Sequence, residues 1–354
     1  MAVISYKCPN CGGDLRFDPA TQGYKCEYCM SSFSQAELEQ ANPEKEQPKA
    51  SEAEPVSEAA PAEGAAAILY SCPSCGAEIV TDATTAATFC YYCHNPVVLQ
   101  GRLEGAYLPD SILPFQVDRA EAEKVFLEYV KKKKFVPQAF FNKAQIEKLS
   151  GIYFPYWVCD EKLDGELQAS ATKVRTWRMG DTEYTETKFY EVARAGQIEI
   201  KELTKNALKK ANRKLIEGVQ PFPFKEAKEF TMGYLSGFQA EKRDLEKQEL
   251  QEEVQQEVKK YAQDLMKDSI SGYTAVSTKH LNLRSEEGIW NYVLLPVWTL
   301  TYKGRDAKIY YYAMNGITRK ICGEFPLDYK KVAILFAAVA VPIWILFLIG
   351  GYFL

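Results

Sequence analysis

Eight of the ten cysteines fall into two sets of paired Cys-x-x-Cys motifs, and this spacing constrains the fold more than any other feature of the chain. The first set is Cys8 and Cys11 followed by Cys26 and Cys29. The second is Cys72 and Cys75 followed by Cys90 and Cys93. Fourteen residues separate the pairs within each set, and adding 64 to every number of the first gives the second. The flanks repeat as well: Tyr6 matches Tyr70, Gly12 matches Gly76, Leu15 matches Ile79, and Tyr28 matches Tyr92. The pattern is an internal duplication of a small module.

Coordination geometry explains the spacing. Two residues between paired cysteines let one tight turn aim both sulfurs at a single ion, and two such turns complete a tetrahedron around zinc. A module of about 30 residues buries too little apolar surface to fold alone, so the metal would supply much of its folding free energy. Four thiolates close the tetrahedron, which makes the expected ions structural: two Zn2+, one per ribbon. The competing reading is a disulfide framework, which needs an oxidising compartment. Against it, Met1-Ala-Val-Ile-Ser-Tyr-Lys7 shows no apolar signal region. His94 follows Cys93 and is read as a bystander, because four cysteines already suffice.

Residues 36–64 hold eight acidic and two basic residues and no aromatics, a composition that cannot bury enough surface to order itself. The first ribbon is therefore expected as a module on a flexible tether, whereas the second runs directly into the main body. In that body, Asp118 to Lys134 has helical spacing with Asp118 as N-cap, and a second helix is expected from Pro137 to Leu149. Ile152 to Cys159 reads as strand, followed by a hairpin with arms Gly165–Arg178 and Glu183–Glu199. Helices are expected over Lys201–Glu217 and Glu241–Lys267. Leu294–Tyr302, Ala307–Ala313 and Ile317–Cys322 complete an antiparallel set with a turn at Asn315-Gly316. Cys159 and Cys322 lie unpaired in apolar strands and are read as buried, inert thiols.

Val332 to Leu354 is a run of 23 residues without a charge. At ~1.5 Å per residue it is long enough as a helix to cross a ~30 Å hydrocarbon core. Lys330 and Lys331 precede it directly, with Arg319 and Lys320 nearby in sequence, so the positive-inside rule keeps the N-terminal bulk in the cytosol. The expected localisation is the cell membrane, as a single-pass, tail-anchored protein. The expected fold class is multidomain: zinc ribbon 1 (1–34), a disordered acidic Ala/Pro linker (35–67), zinc ribbon 2 (68–102), an α+β cytosolic body with an antiparallel sheet (103–328), and a C-terminal transmembrane helix (329–354).

Several function classes lose support. The chain lacks a Gly-x-x-x-x-Gly-Lys-Ser/Thr loop, His-Glu-x-x-His, Gly-x-Ser-x-Gly and Gly-x-Gly-x-x-Gly. Its two histidines, His94 and His280, sit in no catalytic motif, and no catalytic residue or small-molecule cofactor is assigned. An enzyme is not expected. The net charge of −4 argues against a dedicated polyanion binder. The first ribbon balances Lys7, Arg16 and Lys25 against Asp14, Asp18 and Glu27, so neither the charge nor its clustering suits phosphate binding. Lys131 to Lys134, the densest basic run, reads as a solvated helix end that complements the helix dipole.

With the ribbons, the segments Gly151-Ile-Tyr-Phe-Pro-Tyr-Trp157, Gly233-Tyr-Leu-Ser-Gly-Phe-Gln-Ala-Glu-Lys242, Leu295-Pro-Val-Trp298 and Tyr312-Ala-Met-Asn-Gly316 carry a family resemblance. The chain resembles the YdjG-like zinc-ribbon membrane proteins of Gram-positive bacteria, whose members often bear transcription-factor-IIB-type zinc-binding or primosomal-protein names. The resemblance implies protein partners of envelope-stress modules, phage-shock-protein-A-like or flotillin-type. The leading expectation is a membrane-anchored adaptor that binds proteins at the cytoplasmic face. The alternative is a nucleic-acid-binding protein of replication or transcription that uses the ribbons.

Overall fold

The computed structural model describes residues 3–4, 6–41, 68–72, 75, 77–90, 95–99, 102–103, 105–211, 213–285, 288–304 and 308–352. Among them are six α-helices: α1 (Gln35–Ala41), α2 (Arg119–Lys131), α3 (Lys143–Ile146), α4 (Arg213–Gly218), α5 (Lys247–Asp268) and α6 (Tyr329–Tyr352). The chain divides into two units. The first comprises residues 1–155, 210–242 and 294–354, and the second 156–209 and 243–293. Most of the expected linker falls outside the described residues, but its first seven form α1, where Ser34 and Glu37 exchange hydrogen bonds as a capping box.

The first unit is built on a mixed sheet. Val3–Ile4 pairs with Pro96–Leu99, which pairs with Thr85–Phe89, then Gln239–Glu241, then the start of the Ser150–Met179 strand. On the far side, Val297–Lys303 pairs antiparallel with Ile309–Asn315, and Ile321–Gly323 closes the edge. The expectation of an antiparallel sheet holds only in part, because Ile152–Tyr153 runs parallel to Gln239–Ala240. Parallel neighbours need a long crossover, and strand patterns alone do not reveal which distant segments pair.

Helix α2 forms where expected. Asp118 accepts the Glu121 amide at 2.7 Å, and Ala122, Phe126 and Val130 bury one face at four-residue steps. The helix stops at Lys131, so the lysines that follow cap its C-terminus rather than extend it. The helix expected over Pro137–Leu149 is split. A 3-10 turn at Gln138–Phe141 gives way at Asn142, whose Oδ1 accepts the Gln145 amide at 2.9 Å and starts α3.

The first ribbon departs most from expectation. It is seated on the segment 231–238 rather than loosely tethered. Phe17 donates its amide to the Ser236 carbonyl at 2.9 Å, and the Ser236 hydroxyl returns a bond to the Leu15 carbonyl at 2.5 Å. The Phe17 ring meets Tyr234 edge-on at 5.2 Å and Phe238 at 6.5 Å. Phe238 in turn stacks on Phe115 at 4.2 Å, and Phe115 touches Tyr153 and Trp298. Each such ring pair contributes roughly 0.5–1.5 kcal/mol beyond its burial. Gly233 and Gly237 make the seat possible. A Cβ on Gly233 would lie 2.4 Å from the Tyr24 hydroxyl, and Gly237 has φ +93°, beside the Arg16 side chain. Parts of all four segments that carry the family resemblance thus meet around Phe115, since Gly316 also accepts the Gln116 and Val117 amides.

In the second unit, the strand arm 156–179 pairs with Thr182–Asn206 on one side and Ala275–Ser285 on the other, all antiparallel. Helix α5 buries Leu250, Val254, Val258, Ala262 and Met266, a row at four-residue steps, against Cys159, Leu163, Leu167 and Ala169. Tyr261 and Leu265, which fall outside this row, are exposed. The helix expected over Lys201–Glu217 is corrected. The strand continues to Asn206, paired with Tyr156–Cys159 across a bulge near Glu161, and helix α4 begins only at Arg213. Burial pushes the Cys159 thiol up to about 12 and leaves it inert, as expected, whereas Cys322 is only half-buried.

Gly233→Ala should lift the first ribbon off its seat. Hydrogen exchange at the Phe17 amide is expected to accelerate by about tenfold or more, with zinc content unchanged. Exchange equal to that of the unmodified chain would show that the seat does not hold the ribbon.

Candidate metal centres

Each ribbon builds its site from two knuckle turns. In the first, the Cys8 amide donates to the Gly13 carbonyl at 2.7 Å and the Cys26 amide to the Ser31 carbonyl at 2.9 Å. In the second, Cys72 donates to Ala77 at 2.8 Å and Cys90 to Asn95 at 2.9 Å. These are the same two bonds displaced by 64 residues, so the duplication seen in the cysteines extends to the turns that aim them. In the first ribbon the turns are carried by the Leu15–Asp18 and Gly23–Cys26 hairpin, with Gly12 at φ +74° completing the first knuckle.

The structure brings Cys8, Cys11, Cys26 and Cys29 together, and likewise Cys72, Cys75 and Cys90, with the sulfurs of each set within 4.8 Å of one another. Cys93 and His94 lie outside the described residues. Cys8–Cys29 and Cys11–Cys26 are 3.5 Å apart, and Cys75–Cys90 3.7 Å. A disulfide needs about 2.05 Å. A tetrahedron with ~2.3 Å zinc–sulfur bonds has edges of about 3.8 Å. The separations match the second geometry and exclude the first.

Burial divides the ligands the same way in both sites. Cys8, Cys26, Cys72 and Cys90 face the core, and Cys11, Cys29 and Cys75 face solvent. Electrostatics give an independent test of fit. At Cys11 the Gly13 amide favours the thiolate, but hydrogen bonds to Cys29, Cys26 and Cys8 outweigh it and push the thiol up to about 12. At Cys29 hydrogen bonds with the Ser31 side chain and backbone bring it down to about 6. Four sulfurs this close cannot all ionise unless a cation compensates them, and a divalent ion at their centre does so. The residues present fit structural zinc.

Residues 1–44 match the reverse gyrase zinc finger family. The chain is also 32% identical to the Bacillus subtilis (strain 168) protein YdjG over 338 residues, 96% of this chain and 94% of that protein. The chain belongs to the YdjG family. The resemblance read from the motif segments is thereby borne out at the level of the zinc-ribbon family. No solved structure matches.

The cysteines are legible in the sequence; the side chains that support them are not. Ser31 bonds Asn10 at 3.0 Å and Cys29 at 3.2 Å, tying the two knuckles together. In the second ribbon, buried Arg102 donates to the Tyr70 hydroxyl at 2.8 Å and to the Ala83 carbonyl. Asp82 caps the turn by accepting the Thr84 and Thr85 amides, while Lys210 bridges it to Glu241 at 2.7 and 2.9 Å. Despite partial burial, the hydrogen bonds from Lys210 and Thr85 hold the Asp82 carboxyl well below the usual carboxylate range. The only sequence hint was an Asp-x-Thr-Thr turn; its partners lie 20 to 159 residues away.

The full chain should carry about two zinc ions, and Cys11→Ser with Cys29→Ser should lower this to about one. Metal analysis of protein purified without chelators decides it. A content near zero in the unmodified chain would refute the assignment.

Proposed function

We propose that the chain is a zinc-ribbon adaptor, anchored in the membrane by α6, whose bulk binds protein partners at the cytoplasmic face. The observation that carries this reading is the closed, all-thiolate character of the first metal cluster, with three thiolates gathered in the same way among the described residues of the second. It gives the ribbons a structural role and leaves their outer surfaces for recognition. Tyr28 and Met30 stand 74% and 68% exposed on the outer knuckle of the first ribbon. In the second unit, the tip of the long hairpin displays Trp177 stacked on Tyr184 at 5.7 Å, with Phe189 79% exposed. Exposed aromatics of this kind serve as anchors in protein recognition. Helix α6 supports the anchor: it is long and apolar enough to cross a membrane, and none of its most apolar stretch is buried. Family context suggests phage-shock-protein-A-like or flotillin-type partners. The adaptor reading assigns no catalytic step.

A second reading, nucleic-acid binding through the ribbons, draws on the match of residues 1–44 to a reverse gyrase zinc finger. Charge speaks against it. Lys7 is paired with Asp14 at 2.5 Å and Arg16 with Glu27 at 3.1 Å, which leaves Lys25 as the ribbon's cation without an ion pair among the described residues.

Affinity capture with the full chain in mild detergent separates the two. Under the adaptor reading, partner proteins are lost with Trp177→Ala and Tyr184→Ala, and duplex or single-stranded DNA binds no tighter than the ~10⁻⁴–10⁻⁶ M typical of non-specific contact. Tight, salt-sensitive DNA binding that disappears with Lys25→Gln would reverse the order of the two readings.

A further inference from the structure

In sequence, the cations nearest α6 are Arg319, Lys320, Lys330 and Lys331. The fold rearranges this set. Arg319 pairs with Glu121 at 2.6 Å, in the first turn of α2, and Lys320 donates to the Gln220 carbonyl. The segment that instead meets the base of α6 is the one that follows the opposite end of α2. The Asp328 amide donates to the Phe135 carbonyl at 2.7 Å, and Lys331 Nζ to the Val136 carbonyl at 2.9 Å. Ring contacts reinforce the junction: Phe325 lies 5.5 Å from Tyr129 and 5.4 Å from Phe140. Lys131, Lys132, Lys133 and Lys134 are therefore carried to the start of the apolar helix, beside Lys330 and Lys331.

All six lysines are exposed, and none has a salt-bridge partner among the described residues. Lys133 lies 4.9 Å from the Tyr129 ring, which leaves its charge uncompensated. The α2 dipole and its C-cap account for one or two cations at a helix end. They do not account for four in succession held against a second basic pair. The adjoining Leu327 and Tyr329 are 54% and 75% exposed, an apolar and an aromatic side chain where a membrane interface would begin.

We propose that Lys131–Lys134, with Lys330 and Lys331, form a binding surface for the phosphate headgroups of anionic phospholipids at the base of α6. The inference rests on the reading of α6 as a membrane anchor, and the two parts of it are complementary in chemistry. The helix occupies hydrocarbon, and six ammonium groups at its foot meet the negatively charged leaflet surface. A juxtamembrane cluster of four to eight basic residues is the arrangement that such surfaces attract. It would hold the first unit, and the ribbon seated on it, close against the lipid.

Lysine acylation on the full chain in lipid nanodiscs tests this. Recovery of the chain in discs of neutral phosphatidylcholine tests the anchor separately; failure there withdraws the anchor reading itself. When about a third of the lipid is phosphatidylglycerol, acylation of Lys131–Lys134 and Lys330 should slow by about fivefold or more at low salt and recover near 1 M salt. Inorganic phosphate or a DNA duplex added to neutral discs should not reproduce the protection. In Lys131→Gln, Lys132→Gln, Lys133→Gln, Lys134→Gln, the protection of Lys330 should fall with the loss of its neighbours. Equal acylation in neutral and anionic discs would overturn the proposal. Protection by free phosphate or DNA would also overturn it, by assigning the surface to another ligand.

Discussion

Convergence of thiolates on a single ion is the interaction on which the rest of the first unit depends. A ribbon of about 30 residues has too few apolar side chains to offset the entropy of ordering its backbone. Metal ligation locks two knuckles and the hairpin between them, and only then does the ribbon have a fixed face to pack. In the first ribbon that face is Leu15, Phe17 and Tyr24, all buried. Phe17 enters the aromatic cluster of Tyr234, Phe238 and Phe115, so a metal site at the surface is coupled to packing well inside the unit. The second ribbon reaches the same end with charge, through Asp82, Lys210 and Glu241.

This coupling bears directly on the proposed adaptor role. A ribbon on a free arm would sample a wide volume and bind partners at the expense of its own ordering. A ribbon seated on residues 231–238 presents Tyr28 and Met30 at a defined position in its unit. Under the proposed reading, the metal knuckles of the first ribbon and the six lysines at the foot of α6 belong to the same unit. Recognition surfaces carried this way are preorganised, which favours affinity over reach.

The parts of the structure legible in the sequence are those set by local rules. Cys-x-x-Cys spacing, the Asp118 cap, the four-residue row on α5 and the charge-free final segment each follow from neighbours a few residues apart. Features set by a distant partner leave no such local trace. Lys201-Glu-Leu-Thr-Lys-Asn206 has good helix formers at four of its six positions, yet it is strand because Tyr156–Cys159 is available to pair with it. The acidic tract after Phe33 hid the seating of the first ribbon, because Gly233 and Ser236 lie some 200 residues further on. The lysine run after α2 has the pattern of an ordinary helix end, and what places it near α6 is the pair of residues that follow it, Phe135 and Val136, whose carbonyls accept from Asp328 and Lys331.

One coupling is central: zinc in the first ribbon holds the ribbon's apolar face against residues 231–238. Hydrogen exchange of the full chain before and after zinc is removed by a chelator measures it directly. The account predicts faster exchange not only across residues 6–33 but also at the Ser236 and Phe238 amides, as the Phe17 contact is lost. Exchange that rises in the ribbon alone, with residues 231–238 as protected as before, would contradict it.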